Sequence, residues 1–226
     1  MTRTCSVPGC NNQPTAFGNL CPRHKKNKSR WGHELQQPLS RGEAARLILH
    51  CRKLIDRRNN AEAIYGSLRA IRLALKRDAI ETLQGRRAGT VMTEGPAIAA
   101  QILVDVLGQS DEAADQAMML VVSLGYLSAD NASRFRCDNA LFCAVARRFR
   151  AMARTQFTGH ISPSSGQRHH AMKDMKMKHS LYLGRLLMAS FGPAGALLQE
   201  QEQERLRGAE VRKNNVFRAI TGDTTI

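Results

Sequence analysis

Three cysteines and one histidine near the start of the chain have the types and the spacing of a metal site. They are Cys5, Cys10, Cys21 and His24, in the pattern Cys-x4-Cys-x10-Cys-x2-His. Thiolate sulfur and imidazole nitrogen are soft to borderline donors, and four of them satisfy a tetrahedral zinc ion. Two close pairs separated by a loop let each turn supply two ligands. Pro8, Gly9, Gly18 and Asn19 fall where the chain must bend between ligands. Four protein ligands leave no open position for a substrate, so the zinc is expected to be structural. Disulfides are the competing use of such residues, but three local cysteines cannot all pair with one another. Few apolar residues surround the ligands, so metal binding is expected to supply most of the folding free energy of this knuckle.

A basic arm begins inside the site. Arg23 precedes the histidine, Lys25, Lys26, Lys28 and Arg30 follow it, and Trp31 closes the run. Lysine and arginine neutralise phosphates, and an indole face stacks on a base or packs against the knuckle. The segment Cys5 to Trp31 resembles the short zinc knuckle of many phage and bacterial HNH-type endonucleases and related phage proteins. Those carry Cys-x4-Cys, a Gly-x-Leu-Cys-x-x-His step and a basic stretch with Trp; Gly9, Gly18, Leu20 and Trp31 match beside the four ligands. The family usually places an aromatic directly after the His, where Lys25 stands here. The resemblance covers about the first 35 residues. It implies nucleic-acid binding better than it implies any chemistry, and a phage or other mobile-element setting.

The elements that must position this site follow from composition. The chain has 226 residues, with 42% hydrophobic and only 5% aromatic. Ala, Leu, Met and Arg dominate, which favours helices over sheets. The predicted fold class is mainly α: a small N-terminal zinc knuckle followed by a multi-helix domain. A formal net charge of +15 implies a polyanionic partner, nucleic acid first. No apolar run approaches about 18–20 residues, so no membrane span is expected. The polar start does not read as a signal peptide. Reduced cysteines fit the cytoplasm of a bacterial or phage-infected cell. Cys51, Cys137 and Cys143 fall in apolar helical contexts and read as small buried hydrophobes.

Five segments are expected: a knuckle with its basic arm over 1–33, a linker over 34–42, a helical domain over 43–154, a mobile loop over 155–167, and basic helices with a tail over 168–226. Within the helical domain Ser40 is a cap for a helix from Glu43 to about Arg58. A second helix over about 61–83 has Ile64, Leu68, Ile71 and Leu75 on its apolar face. Further helices are predicted over 96–107, 112–124 and 139–154. Leu124-Gly-Tyr-Leu127 followed by a polar turn and Arg134-Phe-Arg-Cys137 resembles the last helix and wing of a winged-helix domain. The alternative is a helical hairpin with an irregular connection. Gly192-Pro193 is expected to end one C-terminal helix before another begins at about Ala196.

Two stripes, Arg69/Arg72/Lys76 and Arg147/Arg150/Arg154, contain no acids, and Lys173 and Lys176 open a later basic helix. A charged stripe is often a solvated face. Its repetition with one sign, beside the knuckle, points instead to a phosphate-tracking surface. The expected function is therefore a non-catalytic, zinc-containing nucleic-acid-binding protein, with DNA preferred to RNA as partner. A metal-dependent nuclease of HNH-like type is the alternative of another class, with His160, His169, His170 and His179 as its candidates and Asp174 the one acid close to the last three. The Asp-His start and the final His-x3-His of such a site are not recognisable. An RNA-binding ribonucleoprotein component is the third alternative.

Overall fold

In the computed structural model, which describes residues 3–153, 157–161, 168–170 and 175–221, Ser40 begins helix α2 (Arg41–Asp56) by a reciprocal cap. Its hydroxyl accepts from the Glu43 amide at 3.0 Å, and the Glu43 carboxylate accepts from the Ser40 amide at 3.4 Å. Before it, α1 (Pro22–Trp31) leaves the knuckle. After it come α3 (Ala61–Arg87), α4 (Glu94–Leu107), α5 (Asp111–Asp130), α6 (Asp138–Arg150) and α7 (Met177–Thr221). Two short antiparallel strands, β1 (Phe157–Ile161) and β2 (Arg168–His170), precede α7. The chain is mainly α, as its composition predicts.

Helix α5 is the hub. Every residue from Ala117 to Tyr126 is buried, because α7, α2, α6 and α4 lie against different sides of it. A helix covered all round carries an unbroken apolar run instead of an amphipathic stripe. The one serine in that run, Ser123, donates to the Met119 carbonyl at 2.6 Å and so spends its polarity inside the helix.

Small residues let α7 approach its neighbours backbone to backbone. A Cβ on Gly125 would stand 2.5 Å from the Gly192 carbonyl oxygen, and one on Gly195 would stand 2.5 Å from the Tyr126 amide nitrogen. A Cβ on Gly184 would meet the Phe142 carbonyl carbon at 2.6 Å. These seams explain a departure from the sequence reading. Gly192-Pro193 does not divide α7, which runs as one helix of 45 residues. Pro193 lacks an amide donor, but the turn around it is held from outside by α5.

One other expectation changes. Helix α5 continues through Leu124-Gly-Tyr-Leu127 to Asp130, and Arg134–Cys137 forms no strand, so there is no winged-helix hairpin here. A short 3₁₀ turn at Ala132–Arg134 instead delivers Phe135 into the core. The stretch 34–42, expected as a linker, packs against the helical body. Leu39 is buried in the main core, and the Gln36 side chain donates to the Arg134 carbonyl at 3.3 Å and accepts from the Arg136 amide at 3.0 Å. Strand β1 falls within the mobile loop expected over 155–167, most of which lies outside the described residues.

By length and composition, Met177–Asn215 is apolar enough to cross a membrane, with a mean hydropathy of 1.3 over its most apolar stretch. Its Leu183, Leu187, Phe191 and Leu198 are buried in the core of this body. Cys51 and Cys143 are buried, and burial pushes both thiols up to about 11. Cys137 departs from expectation: it is the exposed residue capping the start of α6.

Candidate metal centre

The four sequence-predicted ligands converge. One donor atom from each of Cys5, Cys10, Cys21 and His24 lies within 4.8 Å of the others, close enough to hold a metal ion. Among the described residues this is the only group of three or more His, Cys, Asp or Glu side chains with that geometry. His24 Nδ1 is 3.4 Å from both Cys5 Sγ and Cys21 Sγ, and Cys10 Sγ is 3.9 Å from Cys21 Sγ.

Local backbone chemistry places each ligand. Gly9 adopts φ +76°, the left-handed conformation that glycine takes without strain, and the Cys10 amide closes the turn onto the Val7 carbonyl at 3.0 Å. Cys21 is the N-cap of α1, with Pro22 at its first helical position. His24 follows within the first turn, so Cys-x2-His puts both donors on one side of the helix start. The Cys21 amide also donates to Cys5 Sγ at 3.3 Å, and Asn12 Nδ2 to Cys10 Sγ at 3.6 Å. Such outer hydrogen bonds orient ligands and favour thiolate. Burial pushes the Cys5 thiol up, but the amides of Cys21 and Val7 and its neighbours His24 and Cys10 outweigh this and bring it to about 6. For Cys10 the Asn12 amide favours the thiolate, yet burial and the nearby Cys21 and Cys5 sulfurs push the group up overall. Thiolates crowded in this way repel one another, and a divalent cation among them removes the conflict.

The basic arm is helical. His24, Asn27 and Trp31 form the inward face of α1, while Arg23, Lys25, Lys26, Lys28 and Arg30 are exposed. Lys28 lies 3.8 Å from the Glu34 carboxylate. Arg23, Lys26 and Arg30 recur at three and four residues and so share one stripe. Asn27 fastens the inner face, donating to the carbonyls of Glu34 at 2.6 Å and Gln36 at 3.1 Å. Gly32, at φ +79°, ends the helix, and a Cβ there would meet the Asn139 carbonyl oxygen at 2.5 Å. Trp31 is half-buried with the Arg30 and Arg147 guanidinium groups 5.5 and 5.4 Å from its ring. The ring is therefore in contact with cations of its own chain.

The later stripes behave differently from one another. Arg72 is buried, with Nη2 2.9 Å from Asp111 Oδ1 and Nη1 3.2 Å from Asp115 Oδ1. Arg69 Nε lies 3.3 Å from Asp115 Oδ2. These two arginines join α3 to α5, and the compensating acids lie on another helix. Lys76 is half-buried. Arg147 is likewise committed to internal carbonyls, donating to Arg30 at 2.6 Å and to Met175 at 3.4 Å. Arg150 ends α6 half-buried. Lys176 is exposed beside Met175. Arg154 and Lys173 lie outside the described residues.

Of the histidines weighed for nuclease chemistry, His160 falls in β1 and His169 and His170 in β2. Asp174 lies outside the described residues. His179 is buried, with Nε2 3.4 Å from Glu94 Oε2. Spacing gives no sign of one further residue. Phe17, between the two ligand pairs, is 97% exposed. Its only signal in the sequence is an aromatic in a metal loop with little apolar surface to cover it. No known protein family, curated protein or solved structure matches the chain.

Proposed function

We propose that the chain is a zinc-containing protein that binds DNA through phosphates and catalyses no reaction. Three sulfurs and one imidazole nitrogen are the donor set of structural zinc, and the site would hold the start of α1 in place. One observation carries the rest. The first 33 residues contain six Lys or Arg (Arg3, Arg23, Lys25, Lys26, Lys28 and Arg30) and no Asp or Glu. The exposed side of α1 therefore presents Arg23, Lys26 and Arg30 without an acid among them. A metal-anchored cationic helix is suited to lie along a phosphate backbone.

The test is the salt dependence of DNA affinity. Each phosphate neutralised by a lysine or arginine releases counterions, so affinity falls steeply as salt rises. Replacing Lys25, Lys26, Lys28 and Arg30 together with Ala should weaken binding and flatten the slope. Affinity that hardly changes between low and physiological salt would remove phosphate contact as the basis of function. Intact plasmid incubated with the protein and Mg²⁺ or Mn²⁺ should stay uncut; cleavage would establish the nuclease alternative.

A further inference from the structure

We infer that Phe17 is a base-stacking residue and that the nucleic acid the knuckle takes is single-stranded DNA. This rests on the DNA-binding reading above. The ring is 97% exposed at the tip of the loop between the ligand pairs. That loop is tied at several points. The Thr15 amide donates to the Leu20 carbonyl at 3.0 Å and the Ser6 amide to the Asn19 carbonyl at 2.8 Å, while Cys10 and Cys21 fix its two ends at the metal site. The nearby apolar cluster of Cys5, Val7 and Cys21, with Cys10 and Leu20, does not include Phe17. A large aromatic held out on an anchored loop has its face open to a partner.

Isolated exposed apolar residues are common, and Val91 is 98% exposed on the connection between α3 and α4. Phe17 differs in what stands next to it. Four residues after it Cys21 caps α1, and Arg23, Lys26 and Arg30 follow along one exposed stripe. Proteins that bind single strands combine a basic track for the backbone with an aromatic platform for a base. Trp31, the aromatic of the arm, is half-buried with the Arg30 and Arg147 guanidinium groups against its ring. In a duplex the bases are already stacked on one another, and Phe17 would gain a face only by opening a step. An unpaired base offers that face freely.

Affinities of the full-length, metal-loaded chain for a single-stranded oligonucleotide and for the duplex of the same sequence test this. Phe17→Ala should weaken single-strand binding by roughly tenfold or more, the range of one aromatic–base stack, with duplex affinity and the salt slope unchanged. Phe17→Trp should retain binding, and Phe17→Leu should lose most of it, because the π face rather than apolar area is at stake. Metal content and melting temperature should match the wild type in all three, since the ring covers no core. Single-strand affinity unaltered in Phe17→Ala, with salt-dependent duplex binding intact, would overturn this inference and leave the DNA-binding reading standing. Equal losses for both ligands would also overturn it. Absence of wild-type binding to either ligand at low salt would overturn both.

Discussion

Arg72 Nη2 lies 2.9 Å from Asp111 Oδ1, which seats a guanidinium at a core position of α3. Leu68, Arg72, Leu75 and Ala79 are the buried residues of that helix, at steps of four, three and four. The arginine is tolerated there because Asp111 and Asp115 on α5 receive it, and its Nη1 also donates to the Asp111 backbone carbonyl at 3.3 Å. Removing one member of a buried pair strands the other, whereas a pair open to water contributes little.

Arg72→Ala should therefore destabilise the chain by about 2–4 kcal/mol, discounted because Asp111 itself is exposed. Arg69→Ala, whose side chain is half exposed, should change stability by less than about 1 kcal/mol. Urea denaturation of the two variants checks this. Equal midpoints would show that the α3 arginines are a solvated face after all.

Much of this arrangement is legible in the sequence, and what is not has identifiable causes. The ligand set is readable because four metal donors must lie close in sequence when the loop between them is short. The start of α2 is readable because Ser40 and Glu43 form a local cap. Arg72 is misleading because a run of basic residues at helical spacing looks the same whether its acids are in water or on another helix; Asp111 is far along the chain. The unbroken α7 was hidden for a similar reason. Pro193 disfavours helix locally, and the close seams at Gly125 and Gly195 that hold the turn are tertiary. Phe17 has no periodicity to mark it, since its exposure depends on the absence of anything to cover it.

Two glycines should respond to alanine in opposite directions. Gly66 lies inside α3 with open space around it, and Ala is the better helix former. Gly66→Ala should stabilise by about 0.5–1 kcal/mol. Gly195→Ala would drive a methyl group into the backbone of α5 at Tyr126, and should cost about 2–3 kcal/mol through overpacking. Thermal melts of the two variants should move to opposite sides of the wild type. A Gly195→Ala variant as stable as the wild type would mean that α5 and α7 do not meet at this seam.

The cap of α2 should give the fold a dependence on acid. Arg134 Nε donates to Glu43 Oε1 at 2.9 Å and its Nη2 to Oε2 at 3.1 Å. Those hydrogen bonds hold the Glu43 carboxyl below its ordinary value of about 4.5. A carboxylate depressed by folding contributes its stability above the unfolded-state pKa and loses it as pH falls through the folded one. The contribution of this pair should therefore be constant near neutrality and disappear below about pH 4.5. Glu43→Gln should lower stability at pH 7 and reduce the loss on acidification. A variant whose stability runs parallel to the wild type from pH 7 down to pH 3 would show that the pair does not carry this dependence.

The single tryptophan makes the reach of the metal measurable. The N-terminal half of α1 is held by Cys21 and His24 at the metal site. Its C-terminal half is held by the helical body: Arg147 donates to the Arg30 carbonyl, Asn27 to the carbonyls of Glu34 and Gln36, and Gly32 rests on Asn139. Freshly purified protein should carry one zinc per chain by elemental analysis. Chelation should release residues 3–21, which then become sensitive to protease, because little besides the ligands and Val7 is buried there. Far-UV helical signal should fall only slightly, and the emission maximum of Trp31 should stay where it is, since Arg147 and α6 still cover the ring. Cys21→Ser should reproduce the chelated state. A red shift of Trp31 emission on metal removal would show that the metal holds the whole of α1, and that the contacts to α6 are too weak to keep its C-terminal half in place.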